Sequence, residues 1–131
     1  MKPQTGAFLA KAGELIDQAN TMLSVGLMEA AGRTAYLAGL HAAQALIFER
    51  TGRIIKRHRG VRNELWQQTK AEPRFDAELH AFLGRTYSLK EIADYITGSG
   101  SHVPEELARS AVATARRFVG VITELLDEAG A

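Results

Sequence analysis

Pro104–Leu126, PEELARSAVATARRFVGVITELL, carries the clearest periodicity in the chain. Leu107, Ala111, Ala115, Phe118, Ile122 and Leu125 recur every three or four residues, which lines them along one stripe of an α-helix. Arg109, Arg116, Arg117 and Glu124 fall between them and take the solvent side. Pro104, Glu105 and Glu106 mark the start. Proline gives up an N–H that the first turn cannot use, and carboxylates suit the positive end of the helix dipole. A helix with one apolar seam has to bury it against another layer. The remainder of the chain offers only further helices for that purpose, because no run alternates as a strand would.

Working back from that helix, Thr97-Gly98-Ser99-Gly100-Ser101-His102 reads as a flexible linker with a solvated histidine. Pro73 is expected to open a fourth helix, with Asp76 and Glu78 near its N-terminal end. Ala77, Leu79, Leu83, Tyr87, Ile92, Ala93 and Ile96 supply its apolar bulk, and the stripe loosens at Gly84–Ser88, which predicts a bend. Val61–Thr69 reads as a short helix with Leu65 and Trp66 facing inward. Met28–Glu49 is a long alanine-rich helix with Tyr36, Leu37, Leu40, Ala43 and Ile47 along one face, ended by Gly52. Its Ala35, Gly39 and Ala43 form a smooth strip where another backbone can come close. Thr5–Val25 places Phe8, Leu9, Ala12, Leu15, Ile16, Ala19 and Leu23 on one stripe. The expected architecture is all-α: one domain over residues 1–131, an up-and-down bundle of four long helices plus one short helix. Short connections should make successive helices antiparallel neighbours.

The chain contains no cysteine, so disulfides, thiol catalysis and thiolate metal sites are excluded. Nothing resembles a signal peptide or an apolar run of the roughly 18 residues a membrane helix needs, and a cytoplasmic protein is expected. There is no Walker lysine loop, no His-Glu-x-x-His, no Gly-x-Ser-x-Gly turn and no facing Glu-x-x-His pair, so no metal or other cofactor is expected. The formal charge is +1, yet Arg53–Arg62 holds Arg53, Lys56, Arg57, Arg59 and Arg62 with no acid, leaving the body of the chain net acidic. That concentration suits a local anion site better than a coat for wrapping a duplex. Lys56 and Arg57 should stand at the start of the third helix beside His58, where free backbone amides also favour an anion. Arg53, Lys56, Arg57, His58, Arg59 and Arg62 are therefore the candidate phosphate- or RNA-binding set, and a solvated basic loop is the bland alternative. His41, among Leu40, Ala42 and Ala43, reads as a hydrogen-bonded core histidine, His80 as a surface residue, and Trp66 as core or interface.

Three ordered stretches resemble the HEPN family (higher eukaryotes and prokaryotes nucleotide-binding), in its small bacterial branch. They are Arg33-Thr34-Ala35-Tyr36 followed by His41-Ala42-Ala43, then Lys56-Arg57-His58-Arg59-Gly60-Val61, then Ala93-Asp94-Tyr95. The resemblance covers about Leu9 to Leu126. It implies a helical bundle, usually a homodimer, encoded beside a minimal nucleotidyltransferase, the two acting as a toxin–antitoxin module. Active members are metal-independent endoribonucleases that use an arginine and, four to six residues later, a histidine on the penultimate long helix.

This chain departs from that pattern, with Lys90 in the arginine position and Tyr95 in the histidine position. Lysine keeps the charge without the planar fork that grips phosphate through two bonds. A tyrosine with a pKa near ~10 is a poor base at neutral pH, where a histidine near ~6.5 works well. The candidate catalytic set is Lys90, Asp94 and Tyr95, which share a helix face, and the residue chemistry predicts at best an inefficient ribonuclease. Three readings stay open. The first is a HEPN protein of a toxin–antitoxin or defence module that binds RNA or nucleotide phosphate. The second is a non-catalytic member that docks a nucleotidyltransferase, with Tyr95 as a target for nucleotidylation. The third is a structural bundle with an inert basic loop.

Overall fold

A computed structural model describes residues 1–98 and 102–129. It contains helices α1 (Pro3–Ser24), α2 (Met28–Thr51), α3 (His58–Thr69), α4 (Ala77–Tyr95) and α5 (Glu105–Ala129), and no strand among the described residues. The fold is an all-α helical bundle with one short and four long helices. Residues Ser99–Ser101 of the expected linker lie outside the described residues, while His102 beside them is exposed.

The central element is α2, which packs against each of the other four helices. A helix so surrounded cannot have one apolar face. It buries Ala31, Thr34, Ala35, Tyr36, Ala38, Ala42, Ala43, Leu46 and Ile47 around nearly its whole circumference, which corrects the single stripe read from sequence. Its small residues are what let the neighbours in. A Cβ at Gly39 would stand 2.4 Å from Phe82 Cε2, and one at Gly32 would stand 3.1 Å from Leu89. The strip around Gly39 is thus filled by α4 of the same chain. Gly52 ends α2 in the left-handed conformation (φ 73°) that glycine adopts without strain.

Several boundaries and faces differ from expectation. Helix α3 begins at His58, three residues before Val61, and α4 begins at Ala77, with Pro73 in the preceding turn and Asp76 as the cap accepting from the Leu79 amide. Helix α4 runs without a break through Gly84–Ser88. The stripe is irregular there because Gly84 receives Arg62: a Cβ would lie 3.0 Å from its guanidinium carbon. Ala77 and Ile96 are exposed, and the buried face of α4 is Leu79, Phe82, Leu83, Thr86 and Leu89. Leu107 is exposed at the start of the α5 seam, where Ala108 is buried instead. The seam is otherwise as read, with Ala111, Ala115, Phe118, Ile122 and Leu125 buried.

Phe118 is the centre of an aromatic cluster, with Phe75 and Phe82 at 5.2 and 5.1 Å between ring centroids. Burying each such ring stabilises the fold by roughly 1.5–3 kcal/mol. Arg117 pairs with Asp76 and Glu78, and Arg74 reaches Glu128 at 2.7 Å, tying the entry of α4 to α5. No described helix is long and apolar enough to cross a membrane.

Candidate functional site

Gly32 and Gly39 bring α4 against α2, and the two helices run antiparallel, so the end of α4 meets the start of α2. There the Asp94 carboxylate accepts from Arg33 Nε at 2.7 Å on one oxygen and from Lys90 Nζ at 3.1 Å on the other. Partial burial pushes the Asp94 carboxyl up, but the hydrogen bonds from Lys90 and Arg33 outweigh it and hold it below the usual carboxylate range. The bond to Asp94 in turn raises Lys90. The Lys90 ammonium also stands 5.9 Å from the Tyr87 ring centroid and 5.3 Å from that of Tyr95, within cation–π range. Tyr95 itself is 68% exposed.

His58 joins this cluster from α3. Its Nδ1 lies 2.8 Å from the Tyr36 hydroxyl, and its ring centroid is 4.0 Å from that of Tyr87. Burial lowers its pKa, helped by the nearby charges of Arg62 and Arg59, so the imidazole is neutral at pH 7. Desolvation, with Tyr87 and Glu91 adding to it, pushes Tyr36 up to about 12 and keeps its proton in place. Glu91, and then desolvation, raise Tyr87. Side chains from three helices thus form one continuous group running Tyr36, His58, Tyr87, Lys90, Asp94, Arg33.

The basic segment lies beside it. Arg57 caps α3 in an extended conformation (φ −76°, ψ 134°) with no side-chain hydrogen bond to the first turn, and the amides at the start of α3 are left for other acceptors. Lys56, Arg57 and Arg59 are exposed and, with Arg62, have no ion-pair partner among the described residues. Arg53 differs from them because it pairs with Glu64. Ile55 packs 2.9 Å from where a Cβ on Gly60 would stand, which is why the turn into α3 is this tight. Around it lies an open depression lined by Ile54, Lys56, Arg57, Arg59 and Asn63.

A model of the HEPN domain matches residues 5–125. The chain belongs to the HEPN family. This HEPN protein is also 32% identical over 111 residues to a UPF0332 protein of Archaeoglobus fulgidus, an alignment covering 85% of this chain and 86% of that one. The three stretches that carry the resemblance converge in the HEPN fold seen here: Arg33 and Tyr36, His58, and Asp94 with Tyr95 all belong to the one cluster.

Of the residues singled out from sequence, Lys90, Asp94 and Tyr95 do share a face, and Lys56, Arg57, Arg59 and Arg62 form an exposed basic set. Arg53 is drawn off by Glu64, and His58 is turned toward Tyr36 and Tyr87. Tyr36 and Arg33 stood in the quoted motif without an assigned role, and their partners lie on other helices, out of reach of any local spacing. Tyr87 and Glu91 were missed, although each lies within one turn of Lys90. Trp66 is half exposed, contrary to the inward orientation expected. It covers His80 at 4.8 Å, while Leu65 alone turns into the core. His41 is half-buried rather than in the core, and stacks on Phe8 at 6.1 Å between centroids. Among the described residues no three His, Asp or Glu side chains gather as a metal site would require.

Proposed function

We propose that this HEPN protein, as one domain over residues 1–131, binds the phosphates of RNA or of a nucleotide through Lys56, Arg57, Arg59 and Arg62, as part of a toxin–antitoxin or defence module. The observation that carries the reading is a contrast among cations. Arg33, Arg53, Arg74, Lys90 and Arg117 each hold a carboxylate, while these four have none among the described residues. Unlike the likewise unpaired Arg85 and Arg116, they are grouped over the entry and first turns of α3, where Lys56, Arg57 and Arg59 line an open depression. Exposed cations grouped at a helix N-terminus concentrate positive potential where the free amides also favour an anion from outside. The test is fluorescence anisotropy with labelled tRNA and a short single-stranded RNA. An Arg57→Glu, Arg59→Glu variant should bind at least tenfold more weakly than wild type, and wild-type affinity should fall as salt rises. Unchanged affinity in that variant would leave the loop inert.

A second reading, metal-independent cleavage at Lys90, Asp94 and Tyr95, is favoured by His58. Its neutral imidazole stands against Tyr87, whose ring carries the Lys90 ammonium, so a base and a cation adjoin in a chain that lacks the family's histidine. In that reaction His58, its Nδ1–H donating to the Tyr36 oxygen, takes the ribose 2′-hydroxyl proton on Nε2. The 2′-oxygen bonds to the adjacent phosphorus, the bond to the 5′-oxygen breaks and that oxygen takes a proton from water or from His58, while Lys90 stabilises the charged phosphorane. Incubation with tRNA in EDTA decides it. Cleavage lost in both Lys90→Ala and His58→Ala supports it, and cleavage absent or indifferent to both sinks it.

The working unit proposed is a homodimer beside a minimal nucleotidyltransferase, with Tyr95 as the acceptor for nucleotidylation. Leu27, Tyr95 and Ile96 support this, being large, exposed and at the same end of the α2–α4 pair. Light scattering of wild type and a Leu27→Glu, Ile96→Glu variant tests the dimer, and mass spectrometry after incubation with the partner tests Tyr95.

A further inference from the structure

Beside Arg59 and Arg62, α3 and α4 leave a groove of about 380 Å³, within the roughly 300–1,000 Å³ of small-ligand sites. One wall is Trp66, half exposed although the chain has an ample core for it. Beside it His80 lies edge to face at 4.8 Å and is itself wedged against Phe75 at 4.9 Å, so this wall is held in place from beneath. The floor is buried Leu65 and Leu83. Arg59, Arg62 and the Asn63 amide form the rim, and Arg62 is set by its close fit on Gly84.

We propose that this groove takes one unpaired nucleobase, stacked on the free face of Trp66, with its 5′-phosphate on Arg59 and Arg62. An apolar floor, an aromatic face, an amide able to donate and accept, and two guanidinium groups with no carboxylate partner among the described residues match a flat heteroaromatic ring joined to a phosphate. A base inside a duplex has both faces covered by its stacked neighbours, so the ligand is single-stranded RNA or a free nucleotide. Arg59 and Asn63 also line the depression at the start of α3, so the groove continues the basic track and a strand could occupy both. The inference rests on the phosphate-binding reading above and adds where the base goes.

Trp66 is the only tryptophan, so its own emission reports the groove directly. The protein is titrated with adenosine monophosphate, with a short oligoadenylate and with inorganic phosphate, and the oligoadenylate is followed in parallel by anisotropy. Both adenine ligands should quench Trp66, and inorganic phosphate should not. Trp66→Leu should bind the oligoadenylate about tenfold more weakly, the fold-change expected for one base–aromatic stack, and Trp66→Phe should recover most of that loss. Quenching by the oligomer at far lower concentration than by the monophosphate identifies a strand, and equal potency identifies a free nucleotide. If the oligoadenylate binds Trp66→Leu as tightly as wild type and leaves the wild-type emission unchanged, the groove is not the base site, although phosphate binding stands. If neither anisotropy nor emission responds, both readings fall.

Discussion

The Tyr36 hydroxyl, on the central helix, stands 2.8 Å from Nδ1 of His58, the first residue of α3. This contact ties the basic turn to the cluster on α4, because the other side of the imidazole lies against Tyr87. Tyr36→Phe keeps the buried ring and removes the one polar tie. It should lower unfolding free energy by about 1 kcal/mol in urea titration. It should also lower nuclease activity if His58 is the base, since the ring loses its orientation.

Stability should depend on pH near neutrality through the two half-buried histidines. Burial lowers the pKa of both His58 and His41, so the unfolded chain, titrating near 6.5, binds protons that the folded chain refuses. Their contribution is full above 6.5 and is lost as pH falls through the lowered folded values. The carboxylates held low by arginine and lysine, such as Asp76 and Asp94, lose theirs only further into acid, below the ordinary carboxylate range. Urea titrations across this interval should show a first loss just below 6.5 that a His41→Gln, His58→Gln variant lacks.

The glycines separate into two kinds. Gly39→Ala gains helix propensity but drives a Cβ to within 2.4 Å of the confined Phe82 ring, and overpacking should win, with a net loss of about 1–2 kcal/mol. Gly13→Ala in α1 meets nothing within 4 Å and should stabilise by about 0.5–1 kcal/mol. Thermal melts of the two variants should therefore move in opposite directions from wild type.

Asp94 neutralises both Arg33 and Lys90. Asp94→Asn removes the charge while keeping the shape, and releases both cations to solvent and ligand. If the cluster faces RNA, affinity should rise a few-fold. The slope of log affinity against log salt should steepen by about 0.7 per phosphate newly engaged on a single strand. An unchanged slope would place Arg33 and Lys90 outside the bound strand.

Much of the bundle was legible in the sequence because helices announce themselves locally. The α5 seam, the α1 stripe, the stop at Gly52 and the acidic starts of α4 and α5 all follow from residues within a turn or two of one another. The basic run and the grouping of Lys90, Asp94 and Tyr95 are likewise local, one a stretch of sequence and the other a single helix face. What the sequence hid lies across helices. A residue's spacing says which face it takes, but not what stands opposite.

The tertiary structure alone decided that α2 is buried all round and that the Gly39 strip receives Phe82. It also decided that Glu64 engages Arg53 while Arg59 and Arg62 meet no carboxylate among the described residues, and that Trp66 leaves the core to cover His80. It turned His58 from a phosphate loop into the partner of Tyr36. The physical reason is common to all of these: periodicity is a property of one helix, whereas pairing, burial and pKa depend on atoms brought together from positions tens of residues apart.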